Sequence, residues 1–224
     1  MARIYSTSYF HYTRNFANLV GILQNGFVGS YCEENFKWNG NVLSLYMPVI
    51  SFCDLPLSHI DKMTYGDYAI GMSSVWGNAT NITPICYFPN NQRNSLTKYI
   101  SKLAYDFCQT NASKGIQLLA YAKPKNKYKN PNKHPLDNYK ERECRRVYLN
   151  GITTDCGMHG QLCPQLVLPF SADDVTFIIV KDEQDRSSLI QQIPQWSQVG
   201  GIQSFNNLPL CSKILTKQEI RNNF

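Results

Sequence analysis

The chain has 224 residues, of which 43% are hydrophobic and 17% charged, and its formal net charge is +6. This length fits one ordinary domain with a buried core, and the composition excludes a disordered tail, a coiled coil and a collagen-like chain. No window of eighteen apolar residues exists and the first residues lack the apolar run of a signal peptide. We therefore expect a cytoplasmic protein without a membrane partner.

The first half of the chain predicts short strands around two amphipathic helices. An aromatic and β-branched run predicts a strand over 4–12. Apolar residues spaced three and four apart, from Phe16 to Leu23, predict a helix that stops at Gly26. Further patterns in chain order predict strands over 48–53, 67–72 and 82–88, and a helix over about 94–112.

The second half predicts mostly strands. They are expected over 116–122, 141–149, 175–180 and 209–215, with one polar helix over about 184–192. Residues 150–170 give no clear pattern, and no internal repeat is present. We predict an α+β fold in a single domain over residues 1–224.

Positive charge is concentrated in one segment. Residues 123–146 hold nine Lys and Arg side chains against three acidic ones, so they carry the whole +6, and a basic loop is expected at about 123–140. Such a segment favours an anionic partner such as RNA or DNA, although many charge runs are only solvated loops. The candidate contacts are Lys123, Lys125, Lys127, Lys129 and Arg145.

The cysteines predict neither a disulfide framework nor a metal centre. Eight are present without a CxxC pair, and Cys53, Cys86 and Cys108 lie in apolar runs, so we expect mostly reduced core thiols. The spacing of Cys156, His159 and Cys163 matches no strong zinc signature, and we expect no metal. The motifs GxGxxG, GxxxxGK[ST], HExxH and GxSxG are absent, which disfavours the enzyme classes that use them.

Two short motifs place polar side chains at the ends of predicted strands. His11 and Thr13 precede the first helix, where His11 could bond a ribose hydroxyl and Thr13 could bind a phosphate; alternatively, Thr13 only caps the helix and His11 is a satisfied structural group. Tyr65 and Tyr68 flank a Gly-Asp turn and could stack on a nicotinamide or a nucleobase, although core packing is the alternative for Tyr68.

A third motif joins two carboxylates and a guanidinium. In a strand, Glu141, Glu143 and Arg145 share one face because side chains alternate. Paired carboxylates could stabilise a developing cation. The alternative is an ion-pair ladder on an edge strand.

Four motifs, in this order, resemble the AbiGi-type abortive-infection family of phage-resistance proteins over about residues 8–150. They are HYTRNFANLVGILQNGF, PVISFCDLPLSHI, YGDYAIGMSSVWG followed by PICYF, and ERECRR. Members of that family have been labelled as the antitoxin of a two-gene phage-exclusion system. Ala69 stands where the family usually has Gly, and Cys144 where it usually has Trp.

The motif order is also similar to the ADP-ribosyltransferase fold, a small split mixed β-sheet with flanking helices that grips NAD. This resemblance implies that Glu143 or Glu141 stabilises the oxocarbenium ion as nicotinamide leaves, with His11 holding the ribose. The residues it implies for NAD binding are His11, Tyr12, Thr13, Ser51, Tyr65 and Tyr68.

The main hypothesis is therefore an NAD-dependent ADP-ribosyltransferase of phage defence that modifies nucleic acid or a protein. The alternatives are a catalytically inert antitoxin or sensor that binds a partner toxin, and a basic nucleic-acid-binding module.

Overall fold

The computed structural model describes residues 7–62, 65–89, 91, 93–110, 115–125 and 141–223. Within these ranges the helices are α1 (Phe16–Asn25), α2 (Ser74–Ala79), α3 (Ser95–Thr110), α4 (Ile116–Ala120), α5 (Glu183–Gln192) and α6 (Lys217–Asn223). The strands are β1 (Ser8–Thr13), β2 (Phe27–Trp38), β3 (Asn41–Cys53), β4 (Tyr68–Ser73), β5 (Thr83–Pro84), β6 (Cys86–Phe88), β7 (Ala122–Pro124), β8 (Glu143–Val147), β9 (Leu162–Leu168), β10 (Val175–Val180), β11 (Gln198–Val199), β12 (Ile202–Gln203) and β13 (Ile214–Thr216). In these parts of the chain no helix combines the length and the apolar character needed to cross a membrane.

The chain forms two compact units. Unit 1 comprises residues 1–28, 51–82 and 167–224, and unit 2 comprises 29–50 and 83–166. The chain passes between the units inside β2, β3 and β9 and after residue 82. The sequence predicts a single domain, and each unit is described separately below.

Unit 1 is built on a mixed sheet in the order β13, β10, β4, β1 and the end of β3. β4 pairs antiparallel with β1 on one side, from Ser8↔Ser73 to Thr13↔Tyr68, and antiparallel with β10 on the other. β10 and β13 run parallel. Strands covered on both faces read as apolar runs, and the sequence VTFIIV of β10 is of this kind.

α1 begins and ends for local reasons. The Asn15 side chain accepts a hydrogen bond from the Asn18 N–H at 2.8 Å, which satisfies one of the free donors of the first turn. Leu19 and Leu23 form its buried face. Gly26 ends the helix with φ of +84°, a conformation that costs glycine little. Asn15, not Thr13, is therefore the cap, and the capping alternative for Thr13 is wrong.

Unit 2 is built on a long hairpin. β2 and β3 pair antiparallel from Trp38↔Asn41 to Ser30↔Val49, and the turn between them is Asn39-Gly40, with φ of +48° and +84°. An Asn-Gly pair with positive φ at both positions is the favoured two-residue hairpin turn. β8 pairs with β3 and β5, β9 lies beside β2, and β6 and β7 run parallel. α3 and α4 contribute to one apolar cluster with the hairpin, which includes Phe36, Met47, Phe88, Ile100 and Leu119.

The prediction of a mixed α and β chain is confirmed, and α1, β4, α3, β10 and α5 lie where the patterns place them. Residues 116–120 form α4 rather than a strand, because Ile116, Leu119 and Ala120 are buried at helical spacing. Most of 209–215 is a 3-10 helix over Leu208–Lys213, and only β13 is extended. The predicted strand over 82–88 divides into β5 and β6, and 141–149 shortens to β8. Residues 4–6 of the first predicted strand lie outside the described residues.

Candidate functional site

His11 lies on β1 in unit 1, half-buried between two phenylalanine rings. Its Nδ1 is 2.9 Å from the carbonyl oxygen of Ser51, and its ring contacts Phe27 and Phe52 edge-on, with centroids 5.1 and 5.6 Å away. Burial lowers the pKa of His11, and the hydrogen bond to Ser51 opposes this only in part. A neutral ring with a proton on Nδ1 donates to the Ser51 carbonyl. His11, the predicted ribose-binding residue, therefore contacts the backbone carbonyl of Ser51.

Tyr12 and Thr13 follow His11 on β1. The Tyr12 ring lies 6.3 Å from that of Tyr65, and its hydroxyl is buried and has no hydrogen-bond partner among the described residues. Burial raises the pKa of Tyr12. Thr13 is buried, and its carbonyl is so close to Gly66 that a Cβ there would stand 2.0 Å from the Thr13 oxygen. A side chain at position 66 is thus excluded by backbone, which fixes the turn before β4.

Tyr68 is a core residue. Only 7% of it is exposed, and its hydroxyl donates to Asp185 Oδ2 at 2.7 Å. Burial, together with the bond to Asp185, raises the pKa of Tyr68 to about 12. These contacts favour the core-packing alternative for Tyr68 over a stacking role. Tyr65 remains exposed.

Unit 2 contains a buried network of charges around Arg145. This guanidinium is 1% exposed and donates to Glu34 Oε1 at 2.7 Å and, through Nε, to Glu143 Oε1 at 3.0 Å. Its remaining nitrogen donates to the carbonyl of Ala120 at 3.3 Å. A planar guanidinium suits such a site because its donors point in fixed directions. Arg145 is thereby enclosed by protein acceptors on three sides.

Lys123 completes the network from β7. Its Nζ donates to Glu143 Oε2 at 2.6 Å and to Glu141 Oε2 at 3.1 Å. Burial works against the charged amine, but the carboxylates of Glu143, Glu34 and Glu141 outweigh it and raise the pKa of Lys123. We call these five side chains the ionic cluster: Glu34, Lys123, Glu141, Glu143 and Arg145.

Glu143 has both carboxylate oxygens occupied. Oε1 accepts from Arg145 and Oε2 accepts from Lys123. The backbone N–H of Glu143 also donates to the Tyr87 hydroxyl at 2.9 Å. The sequence places Glu141, Glu143 and Arg145 on one face, and the structure brings them together, with Glu143 and Arg145 buried and Glu141 half-buried rather than on the surface of an edge strand. The contacts favour the ion-pair alternative over a carboxylate that faces a substrate.

Two partners in the cluster were missed by sequence reasoning. Glu34 lies on β2, which no pattern predicted, and it joins Arg145 across 111 positions of chain. The charge pattern of the sequence places Lys123 in the basic loop. The one sequence feature that could have indicated a buried role for Lys123 is its position directly after a predicted strand. No sequence feature indicates such a role for Glu34.

The basic loop is described only in part. Lys125 is exposed, whereas Lys127 and Lys129 lie outside the described residues. Lys123 and Arg145 are held by carboxylates inside unit 2. Of the candidate nucleic-acid contacts, the structure thus places Lys125 at a described surface, Lys123 half-buried and Arg145 in the interior.

The cysteines and His159 form no common centre. Across the described ranges no three side chains of the metal-binding types cluster. Cys53 is buried as expected, but Cys86 is exposed, so its assignment to the core is wrong. The ring of His159 packs against Tyr46, with centroids 6.1 Å apart.

The comparison with protein families bears directly on this site. The family model described as abortive phage resistance protein AbiGi, antitoxin, matches residues 25–153, more than half of the chain. The chain belongs to the AbiGi family. All five members of the ionic cluster lie inside the AbiGi match, whereas His11, Tyr12 and Thr13 precede it. No curated protein and no solved structure matches the chain, and the comparisons do not support the ADP-ribosyltransferase-like fold.

Proposed function

We propose that this protein is an antitoxin of an abortive-infection system that binds and restrains a partner toxin protein. The observation that carries the proposal is the AbiGi match over residues 25–153, because the family is described as antitoxin. The restraint proposed here acts by binding, so it requires a stable surface and no turnover.

The chemistry of the ionic cluster supports this function over catalysis. A carboxylate that stabilises a developing cation must face the reacting group. Glu143 instead faces Arg145 and Lys123, at 2.8 and 2.6 Å. Buried polar groups that are fully satisfied in this way fix one packing of a core. The cluster therefore fits a framework that presents a binding surface.

The test is rescue of growth together with complex formation. The product of the adjacent gene is induced in bacteria with and without this chain, and the chain is purified by an affinity tag. We expect the adjacent product to arrest growth alone, and this chain to restore growth and to co-purify with it in fixed stoichiometry. The control carries an early stop codon, which makes the transcript without the protein. Growth arrest by this chain itself, or rescue by the control, would contradict the proposal.

ADP-ribosyl transfer from NAD to nucleic acid or protein is the second candidate. One observation favours it: Tyr12 and Tyr65, both implied for NAD binding, have ring centroids 6.3 Å apart, and the buried hydroxyl of Tyr12 has no hydrogen-bond partner among the described residues. The measurement is NAD binding and nicotinamide release by the purified chain and by His11→Leu. Release by the wild type alone would establish a transferase or glycohydrolase site and leave the acceptor to be found, and absence of both binding and release would remove this candidate.

A further inference from the structure

Positive charge is divided unequally between the two units. By sequence, unit 2 holds 14 Lys and Arg side chains against 7 Asp and Glu, whereas unit 1 holds 8 against 9. Unit 2 therefore carries +7 and unit 1 carries −1. A surplus of this size on one compact unit produces a positive potential that attracts polyanions. The exposed part of that charge decides where such a partner can bind.

Exposed cations of unit 2 lie along α3 and just before it. Arg93, Lys98 and Lys102 are exposed, and the last two stand four positions apart, on one face of the helix. Between them in the chain, Tyr99 is 58% exposed. Lys102 is paired with Asp106, so its charge is partly offset. We call the four side chains of Arg93, Lys98, Tyr99 and Lys102 the α3 patch.

The basic segment of the chain begins beside the start of α3. The Lys125 N–H donates to the Phe88 carbonyl at 2.8 Å, and the Thr97 hydroxyl donates to the Pro89 carbonyl at 2.5 Å. Two consecutive residues thus tie the end of β7 to the first turn of α3. Lys125 is exposed and follows β7 directly, so it adds positive charge next to the α3 patch.

In the described part of unit 2 the exposed acidic residues are Glu33 and Asp155, and both lie away from α3. α3 packs with the face of the β2–β3 hairpin that carries Phe36. Glu33 alternates to the opposite face, where it accepts a hydrogen bond from Tyr46. Asp155 belongs to the segment whose His159 ring packs on that same tyrosine. The hairpin therefore separates these carboxylates from the α3 patch.

We propose that the α3 patch binds single-stranded RNA, with Arg93 and Lys98 against phosphates and the Tyr99 ring stacked on a base. The cations alone would suit any polyanion. The exposed tyrosine favours nucleic acid, because every base presents a flat π face on which an aromatic ring can stack. A duplex hides those faces, whereas an unpaired RNA strand exposes them. This inference concerns another ligand than the toxin, so it is independent of the antitoxin function.

The test is the fluorescence anisotropy of a labelled, non-self-complementary RNA of about 16 nucleotides, the upper end of single-strand site sizes, titrated with the full chain. Two phosphate contacts predict that log K falls with log salt concentration at a slope of about −1.4 or steeper between about 0.05 and about 0.2 M salt. Lys98→Ala should weaken binding and reduce the slope by about 0.7, because one contact is lost. Lys181→Ala is the matched control, since Lys181 is exposed on unit 1 and should change neither quantity.

A second pair of variants tests the stacking. Tyr99→Ala should weaken RNA binding by about 5- to 150-fold and leave the salt slope unchanged, because a base loses its aromatic partner while the phosphate contacts remain. Tyr99→Phe keeps the ring and should bind like the wild type. Circular dichroism verifies that each variant is folded.

Several results would overturn the proposal. They are absence of binding at about 0.05 M salt, where phosphate contacts are strongest, equal effects of Lys98→Ala and Lys181→Ala, and wild-type affinity in Tyr99→Ala. Tighter binding of single-stranded DNA, or of a duplex of the same sequence, would contradict the choice of RNA. Competition by polyglutamate as effective as that by unlabelled RNA would assign the patch to acidic proteins instead.

Discussion

Replacing Glu143 by Gln separates a structural from a catalytic role for this residue. The substitution keeps the shape of the side chain and removes its charge. If Glu143 holds the ionic cluster together, Glu143→Gln lowers the free energy of unfolding. If Glu143 instead served to bind a substrate, Glu143→Gln would leave the free energy of unfolding nearly unchanged, because residues kept for activity are often not optimal for stability.

The size of the loss follows from the contacts. Oε1 accepts from Arg145 at 2.8 and 3.0 Å, and Oε2 accepts from Lys123 at 2.6 Å. The amide oxygen of Gln can keep the Arg145 contacts, but weaker, because charge-assisted bonds are roughly twice as strong as neutral ones. Its NH₂ group then faces the Lys123 amine, donor against donor. We expect a loss of about 3 kcal/mol, at the lower end of the range for breaking a buried ion pair.

The assay is thermal and urea unfolding followed by circular dichroism. For a chain of this size, about 3 kcal/mol corresponds to a decrease in Tm of about 6–12 °C. Glu33→Gln is the control: Glu33 is the exposed neighbour of Glu34 on β2, contacts Tyr46 only at 3.4 Å, and should change stability by less than about 0.5 kcal/mol. A Glu143→Gln variant as stable as Glu33→Gln would refute the structural reading.

Three further changes test other parts of unit 1. The pKa of His11 is lowered from 6.5 in the fold, so its contribution to the free energy of unfolding is present above pH 6.5 and is lost as the pH drops below that value. We expect the urea midpoint of the wild type to fall between about pH 7.5 and about pH 5.5, and most of this fall to be absent in His11→Leu. The pKa of Tyr68 rises from 10.0 to about 12, so stability is present below pH 10 and falls between these values; Tyr68→Phe should lessen that alkaline loss in circular dichroism. Gly66→Ala places a Cβ 2.0 Å from the Thr13 carbonyl and should cost about 1–3 kcal/mol in thermal melts, whereas Gly21→Ala, with open space in α1, should be neutral or stabilising.

Elements that carry their own pattern could be predicted from the sequence. The spacing from Phe16 to Leu23 and the stop at Gly26 place α1, and the apolar run of β10 places a buried strand. Both signals are local, because the spacing of apolar residues and the length of an apolar run are visible in the sequence itself. α4 was missed because five residues are too few to separate a helical from an extended pattern.

Only part of the ionic cluster could be predicted, namely the side chains that alternate along the predicted strand over 141–149. Alternation places Glu143 and Arg145 on one face, but it says nothing of Glu34, whose strand carries charged residues and does not read as buried. The charge of Lys123 suggested a solvated loop, and only tertiary packing makes it an internal counterion. The energetics of such a site depend on burial, which composition does not encode.

The pairing of β4 has a consequence for dissecting this family. β4 lies inside the span 25–153, yet both of its neighbours, β1 and β10, lie outside it. A fragment trimmed to that span would leave both edges of β4 bare, with rows of unpaired N–H and C=O groups. Such edges template aggregation, so family boundaries drawn from sequence similarity are not folding boundaries in this chain. β1 and β10 are structural parts of unit 1, and any minimal version of the protein must retain them.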